Sequence, residues 1–156
     1  MKSCLFLLLL VALGGSRTAL ADPEADQPPA YDPALASEVG ADAWGMRPYV
    51  LALLKAGPNR PTDPEQAQAL QRAHLDNIRR LADEGVLVLA GPFIDDGTLK
   101  GIYVFAVSTV AEAEALTATD PAVQAGSLVM ELHPWYGSAA LMKLNEWHQR
   151  IAREQP

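Results

Sequence analysis

Cysteine is nearly absent from this chain, with Cys4 as the single cysteine among 156 residues. One thiol cannot form an internal disulfide framework, a CxxC redox pair or a thiolate zinc cluster, because each of these needs at least two. The length corresponds to one domain. That domain must be stabilised by its apolar core, which 49% of apolar residues can supply.

Basic residues are also scarce. The chain has 12 Lys and Arg against 19 Asp and Glu, which gives a formal net charge of −7. Proteins that bind phosphate backbones or anionic lipids need clustered Lys and Arg, and this chain also has no Gly-rich phosphate loop. Nucleic acid and membrane surfaces are therefore not expected as partners.

A long hydrophobic run occurs at the start of the chain. Residues 4–13 are all apolar, they follow Lys2, and the sequence Ala-Leu-Ala ends at Ala21. This arrangement is typical of a secretory signal peptide, and the run is too short for a membrane span, which needs about 20 residues. We expect residues 1–21 to be removed and the mature protein to be exported, periplasmic or secreted.

Proline, aspartate and alanine dominate residues 22–45, and neither a helical nor a strand period is present there. This composition predicts a flexible linker before the folded domain. The predicted domain covers residues 46–136, and residues 137–156 form a predicted helical extension.

Strand and helix signals alternate after the linker. Apolar runs predict four strands, at residues 49–54, 86–90, 102–107 and 128–132. The first predicted helix, residues 62–84, has Thr62 as its N-cap, and the second, residues 109–118, has a capping box between Thr109 and Glu112. The order βαββαβ is typical of the α+β ferredoxin-like fold.

The open face of this sheet needs a cover. Residues 49–54 and 102–107 are apolar at odd and even positions alike, so both faces of the central strands are expected to be buried. A second copy of the sheet would cover the face in a homodimer with a barrel-like association. Alternatively, the C-terminal helix folds back over that face. We expect Ser138 to cap this amphipathic helix and its inward residues to be Leu141, Leu144, Trp147 or His148, and Ile151.

Four segments resemble the YciI-like, or YCII-related, domain family: AHLDNIRRLADEGVLVLAGPF, GIYVFAV, ATDPAVQAG and HPW, at residues 73–93, 101–107, 118–126 and 133–135. The resemblance covers about residues 47–136. It implies a ferredoxin-like fold that dimerises through the sheet and an active site centred on a His and an Asp. Some members of the family are lyases that eliminate a leaving group from ring compounds.

By position, the family His corresponds to His74 and the family Asp to Asp120. His74 lies between Leu70 and Ile78 on the apolar stripe of its helix, where it is either a packed core residue or a neutral imidazole that accepts a proton. Asp120 precedes Pro121 and is an expected helix cap. Its free carboxylate oxygen would orient His74 through Nδ1–H. We therefore predict that both side chains lie within hydrogen-bond reach on the wall of a cleft.

Other polar residues suggest weaker candidates. Glu131 and His133 share one strand face, but with His148 they form no recognised metal-binding spacing, so no metal site is predicted. Trp135 and Tyr136 either close a sheet edge or line a pocket.

Two functional hypotheses follow. In the first, the protein is an exported enzyme that performs elimination or isomerisation on a small organic molecule, with His74 as general base or acid and Asp120 as its orienting group. This chemistry requires no cofactor. In the second, the protein is a non-catalytic dimeric domain that binds a small ligand or only assembles.

Overall fold

The computed structural model describes residues 30–154. The predicted leader and residues 22–29 of the predicted linker lie outside the described residues. The elements are α1 (Pro33–Glu38), β1 (Met46–Ala56), α2 (Pro64–Asp83), β2 (Leu87–Pro92), β3 (Leu99–Phe105), α3 (Val110–Thr117), α4 (Pro121–Gln124), β4 (Leu128–Ser138), a 3-10 helix (Ala139–Lys143) and α5 (Leu144–Ile151). Within residues 30–154, no helix combines the length and hydrophobicity needed to cross a membrane.

The four strands form one sheet in the order β2-β3-β1-β4, and each neighbouring pair is antiparallel. This is the ferredoxin-like arrangement, so the predicted α+β fold is confirmed. Strand β4 is longer than predicted and continues through Pro134 to Ser138. It lies at the edge of the sheet, where a proline removes no hydrogen bond from an inner ladder.

The main core lies between the sheet and helices α2 and α3. Strand residues Val50 and Phe105 are fully buried and face each other across β1 and β3. Leu81 of α2 and Ala113 of α3 pack on them. Because side chains alternate along a strand, this register directs Tyr103 to the same helix-covered face as Phe105.

The helix N-caps are those predicted from the sequence for α3 but not for α2. Helix α2 begins at Pro64 and is capped by Asp63, whose Oδ1 accepts from the Gln66 amide at 2.9 Å, so the prediction of Thr62 as the cap is wrong. Proline at the first helical position makes its predecessor the cap. The predicted capping box of Thr109 and Glu112 on α3 is confirmed.

Helix α1 lies inside the segment predicted as a linker. Asp32 caps it by accepting from two backbone amides, and Val39 at its end is buried. Arg47 of β1 donates to the Val39 carbonyl at 3.0 Å. The prediction of a linker without regular structure is therefore wrong for Pro33–Glu38, because Asp32-Pro33 is a helix start of the same kind as Asp63-Pro64.

The C-terminal segment covers part of the open sheet face. Leu141 and Met142 of the 3-10 helix pack against Tyr49, Val88 and Val104. For this part of the face, the structure has the fold-back arrangement that the sequence left open.

The start and part of the inward face of the C-terminal helix were wrongly predicted. Residues 137 and 138 belong to β4, and Ser138 caps the 3-10 helix that follows. Of the residues expected to face inward, Leu141 packs on the sheet as predicted, whereas Trp147 and Ile151 are 56% and 78% exposed. The apolar residues of this segment that pack on the sheet lie in the 3-10 helix, so the last helix is left largely exposed.

Candidate active site

His74 lies in the middle of α2 and faces the sheet. The residues one turn away on either side, Leu70 and Ile78, are half-buried, whereas His74 is 8% exposed. The apolar period of the helix therefore turns the imidazole inward, as predicted. A buried polar ring of this kind needs at least one hydrogen-bond partner.

Asp120 lies between α3 and α4 and is 1% exposed. Its Oδ1 accepts from the Ala122 amide at 2.9 Å and caps α4, which begins at Pro121. Gly126, with φ of +70°, follows this short helix in the left-handed conformation that glycine adopts without strain. The local sequence thus holds the Asp120 carboxylate in one position.

The fold brings His74 and Asp120 into direct contact. Nδ1 of His74 lies 2.8 Å from Oδ2 and 3.0 Å from Oδ1 of Asp120. A carboxylate has no proton to donate, so Nδ1 carries the hydrogen and Nε2 is left as an acceptor. The predicted contact over 46 residues is confirmed, and it fixes the tautomer of His74.

A second layer of hydrogen bonds holds α2 beside the segment that contains Asp120. Arg80 donates to Asn77 at 2.8 Å and to the Thr119 hydroxyl at 2.9 Å. Thr119 also donates to Asn77 at 3.1 Å. Asn77 lies one turn beyond His74 and Thr119 directly precedes Asp120, so this network fixes the spacing between the two site residues.

Tyr103 completes the site and was missed by the sequence analysis. Its hydroxyl lies 3.3 Å from Nε2 of His74, and the two rings are 6.2 Å apart and nearly parallel. Burial raises the pKa of Tyr103 far above its ordinary value, and the negative charge of Asp120 raises it further. The phenol therefore keeps its proton and donates to Nε2. Tyr103 was detectable as the one hydrogen-bonding side chain in GIYVFAV, two residues before Phe105.

A cavity of about 430 Å³ opens beside this group. His74 and Tyr103 line it, together with Leu54 of β1 and Ile78 of α2. Asp120 does not line it and lies behind the imidazole, so the prediction that both members of the pair lie on the cleft wall is wrong for Asp120. Its capping of α4 buries the carboxylate, so of these three residues only His74 and Tyr103 can touch a bound molecule.

The raised pKa of Tyr103 predicts a loss of stability at alkaline pH. An unfolded tyrosine loses its proton near pH 10, whereas the buried phenol retains it, so the stabilisation is complete below about pH 10 and declines above it. We expect Tyr103→Phe to reduce the alkaline slope of the unfolding free energy by up to about 1.4 kcal/mol per pH unit. Urea unfolding between about pH 9 and 11 measures this slope, and identical slopes would contradict the buried phenol.

The remaining candidates lie elsewhere. His133 contacts Glu131 at 2.9 Å on the exposed part of the sheet, and Glu131 also pairs with Lys55. His148 lies on α5 and lines a different cavity. Among residues 30–154, no group of three or more His, Cys, Asp or Glu side chains is arranged to hold a metal.

The two aromatic residues after Pro134 do not line the cavity beside His74. The Trp135 ring lies 5.8 Å from that of Tyr49, and the Tyr136 hydroxyl donates to Asp42. Both residues therefore pack or bond at the end of the sheet where β1 and β4 pair. This agrees with the edge-closing interpretation of their sequence.

Comparison with known proteins identifies a family. The YCII-related domain matches residues 49–136, which include all three site residues. No protein with curated annotation matches the chain. A similar solved structure is 5-chloro-2-hydroxyhydroquinone dehydrochlorinase (TftG) from Burkholderia phenoliruptrix AC1100, in complex with 2,5-dihydroxybenzoquinone. It is 16% identical, with a TM-score of 0.43, over 57% of this chain and 93% of that one.

Proposed function

This chain belongs to the YCII-related domain family, and we propose that the cavity beside His74 is the active site of an acid–base enzyme acting on a small organic molecule. One observation carries the proposal: His74, held by the buried Asp120 on Nδ1 and by Tyr103 on Nε2, lines a cavity together with Tyr103. Core histidines need one partner to be tolerated, but this one has two partners and a cavity beside it.

His74 is the proposed general base. Asp120 accepts from Nδ1–H and stabilises the positive charge that forms when Nε2 takes a proton. In an elimination, Nε2 removes a proton from carbon, the C–H electrons form a double bond, and the leaving group departs with its bonding electrons. The proton then passes from Nε2 to the leaving group or to water. In an isomerisation it returns to a different carbon of the same molecule.

Tyr103 is the proposed hydrogen-bond donor to the substrate. Its phenol lines the cavity and keeps its proton because burial and Asp120 raise its pKa. Nε2 has one lone pair, so the Tyr103 hydroxyl must turn away from Nε2 before the proton is transferred, and it then donates to the negative charge that develops on the substrate. A donor placed for developing charge lowers the barrier in a site with little water.

The experiment is a turnover screen in deuterium oxide. The folded protein is incubated with small molecules that carry a weakly acidic C–H bond next to a leaving group or a double bond, and products are detected by mass spectrometry. We expect at least one compound to lose its leaving group or to incorporate deuterium with wild-type protein and not with His74→Gln. If compounds bind in the cavity but none reacts or exchanges, the alternative of a small-ligand-binding domain is correct.

We also propose that the domain forms a homodimer through the part of the open face that the C-terminal segment leaves uncovered. Leu51 and Leu53 are half-buried there, and Val129 is 48% exposed. We expect light scattering at micromolar concentration to report a dimer, and Val129→Lys to shift it towards monomer. Ala115→Lys, on the exposed side of α3, is the matched control. A monomeric wild-type protein would contradict this proposal.

We also propose that the protein is exported, and the support for this is the signal-peptide pattern of residues 1–21. If residues 1–21 are removed, the enzyme acts outside the cytoplasm. The intact mass of the protein isolated from its native host tests this, because a retained leader would exclude it.

A further inference from the structure

The cavity beside His74 has a charge of one sign along its wall. Its polar lining residues are Arg60, Gln71, His74, Lys100, Tyr103 and Ser127, and no Asp or Glu between residues 30 and 154 lines it. The charge of this lining is therefore opposite in sign to that of the whole chain, whose formal net charge is −7. A fixed positive charge next to a cavity favours an anionic ligand.

Both cations are available to a ligand. Arg60 forms no ion pair with any residue between 30 and 154, and Lys100 donates to the Gly97 carbonyl at 2.7 Å. Four basic side chains of the domain are paired with carboxylates, namely Lys55, Arg79, Arg80 and Lys143, whereas Arg47, Arg72, Arg150 and Arg153 form no ion pair with residues 30–154. Of the cations without an ion pair among these residues, Arg60 and Lys100 are the ones that line the cavity.

The polar side chains that line the cavity differ in their exposure to solvent. Arg60 is exposed and Lys100 is half-buried, whereas His74 and Tyr103 are buried. The remaining lining is mainly apolar and includes Leu70, Leu75 and Leu128. A molecule that fits would place a charged end towards the exposed cations and an apolar body against the leucines, with its reacting carbon towards His74.

We propose that the substrate is a small apolar carboxylate whose carboxylate group is bound by Arg60 and Lys100. This inference rests on the proposed function, because only an enzyme has a substrate. It adds the chemical class of the substrate and two residues that determine specificity for it. A guanidinium can bind a carboxylate through two parallel hydrogen bonds, whereas an ammonium acts as a point charge. Arg60 therefore contributes orientation and Lys100 contributes mainly attraction.

The test is a binding titration with benzoate and its neutral isostere benzamide, followed by amide chemical shifts or calorimetry. We expect benzoate to bind at least tenfold more tightly than benzamide, and to be weakened at least fivefold by Arg60→Gln and by Lys100→Gln. Arg72→Gln, which removes an exposed charge of α2 outside the cavity, is the matched control and should leave the affinity unchanged. Added salt should weaken benzoate but not benzamide.

His74→Gln separates this inference from the proposed function. We expect the variant to bind benzoate within about threefold of wild type, so anion binding holds even if no reaction is found. Equal binding of benzoate and benzamide, no binding of either, or equal effects of Arg60→Gln and Arg72→Gln would overturn the inference.

Discussion

Replacing Asp120 with Ala is expected to lower the free energy of unfolding by about 3 kcal/mol. The change removes the cap of α4, which is worth about 1 kcal/mol, and leaves the buried Nδ1–H of His74 without an acceptor, which costs about 2 kcal/mol more. Asp120→Asn keeps one oxygen that can accept from both donors, but it replaces the other oxygen with an NH2 group and removes the charge, so we expect a cost of about 1 kcal/mol. Urea unfolding gives all three values.

Asp63→Ala is the matched control for this prediction. Asp63 also precedes a proline and caps a helix, but it accepts from one backbone amide and has no histidine partner. Its removal is expected to cost about 1 kcal/mol. If Asp120→Ala costs no more than Asp63→Ala, then Asp120 is only a cap and its contact with His74 contributes nothing to stability.

Replacing His74 with Gln is expected to reduce turnover by about 100- to 10,000-fold on any substrate that the screen identifies. Glutamine retains an amide donor for Asp120 and similar bulk, but it cannot take a proton. We expect the folded state, checked by circular dichroism, to persist. The measurement is kcat/KM with the variant and wild type at equal folded concentration.

His133→Gln is the control for that loss. His133 is exposed and bonded to Glu131, away from the cavity. We expect its turnover to remain within twofold of wild type. A His74→Gln protein that keeps turnover at the wild-type level would remove His74 from the mechanism.

The inward orientation of His74 and the capping role of Asp120 were predictable because their determinants are local. The apolar stripe of α2 directs His74 inward, and Asp120-Pro121 specifies a helix cap with a carboxylate oxygen to spare. The resemblance to the family joined the two residues, and the βαββαβ order placed both helices on one face. Residue spacing alone does not specify which inward side chains meet across that face.

The position of Tyr103 in the site could not be predicted from the local sequence pattern. The strand signal in GIYVFAV identifies β3, but its apolar residues lie on both faces, so the periodicity does not show which side faces α2. The register with β1, Ala52 opposite Tyr103, decides that side. Register depends on pairing between distant segments, which a single sequence does not reveal.

The C-terminal segment is a second case in which the local sequence pattern was not sufficient. Its apolar period predicted one long helix with Leu141, Leu144, Trp147 or His148, and Ile151 inward, whereas the packing on the open sheet face is made by Leu141 and Met142 in a 3-10 turn and Trp147 and Ile151 are exposed. The longer β4 moves the start of the segment, and the available space on the open sheet face selects which apolar residues are covered. Both are tertiary effects that override a helical pattern.

The central claim is that Asp120 and Tyr103 hold His74 in one tautomer, with Nε2 ready to take a proton inside the cavity. Nitrogen-15 NMR of the imidazole tests it most directly, because protonated and unprotonated ring nitrogens have different shifts, and His74→Gln assigns the signals. For the neutral imidazole we predict a protonated Nδ1 and an unprotonated Nε2, with the Nε2 signal shifting in Tyr103→Phe. A proton on Nε2 with a bare Nδ1, or a rapidly averaging pair, would contradict the account.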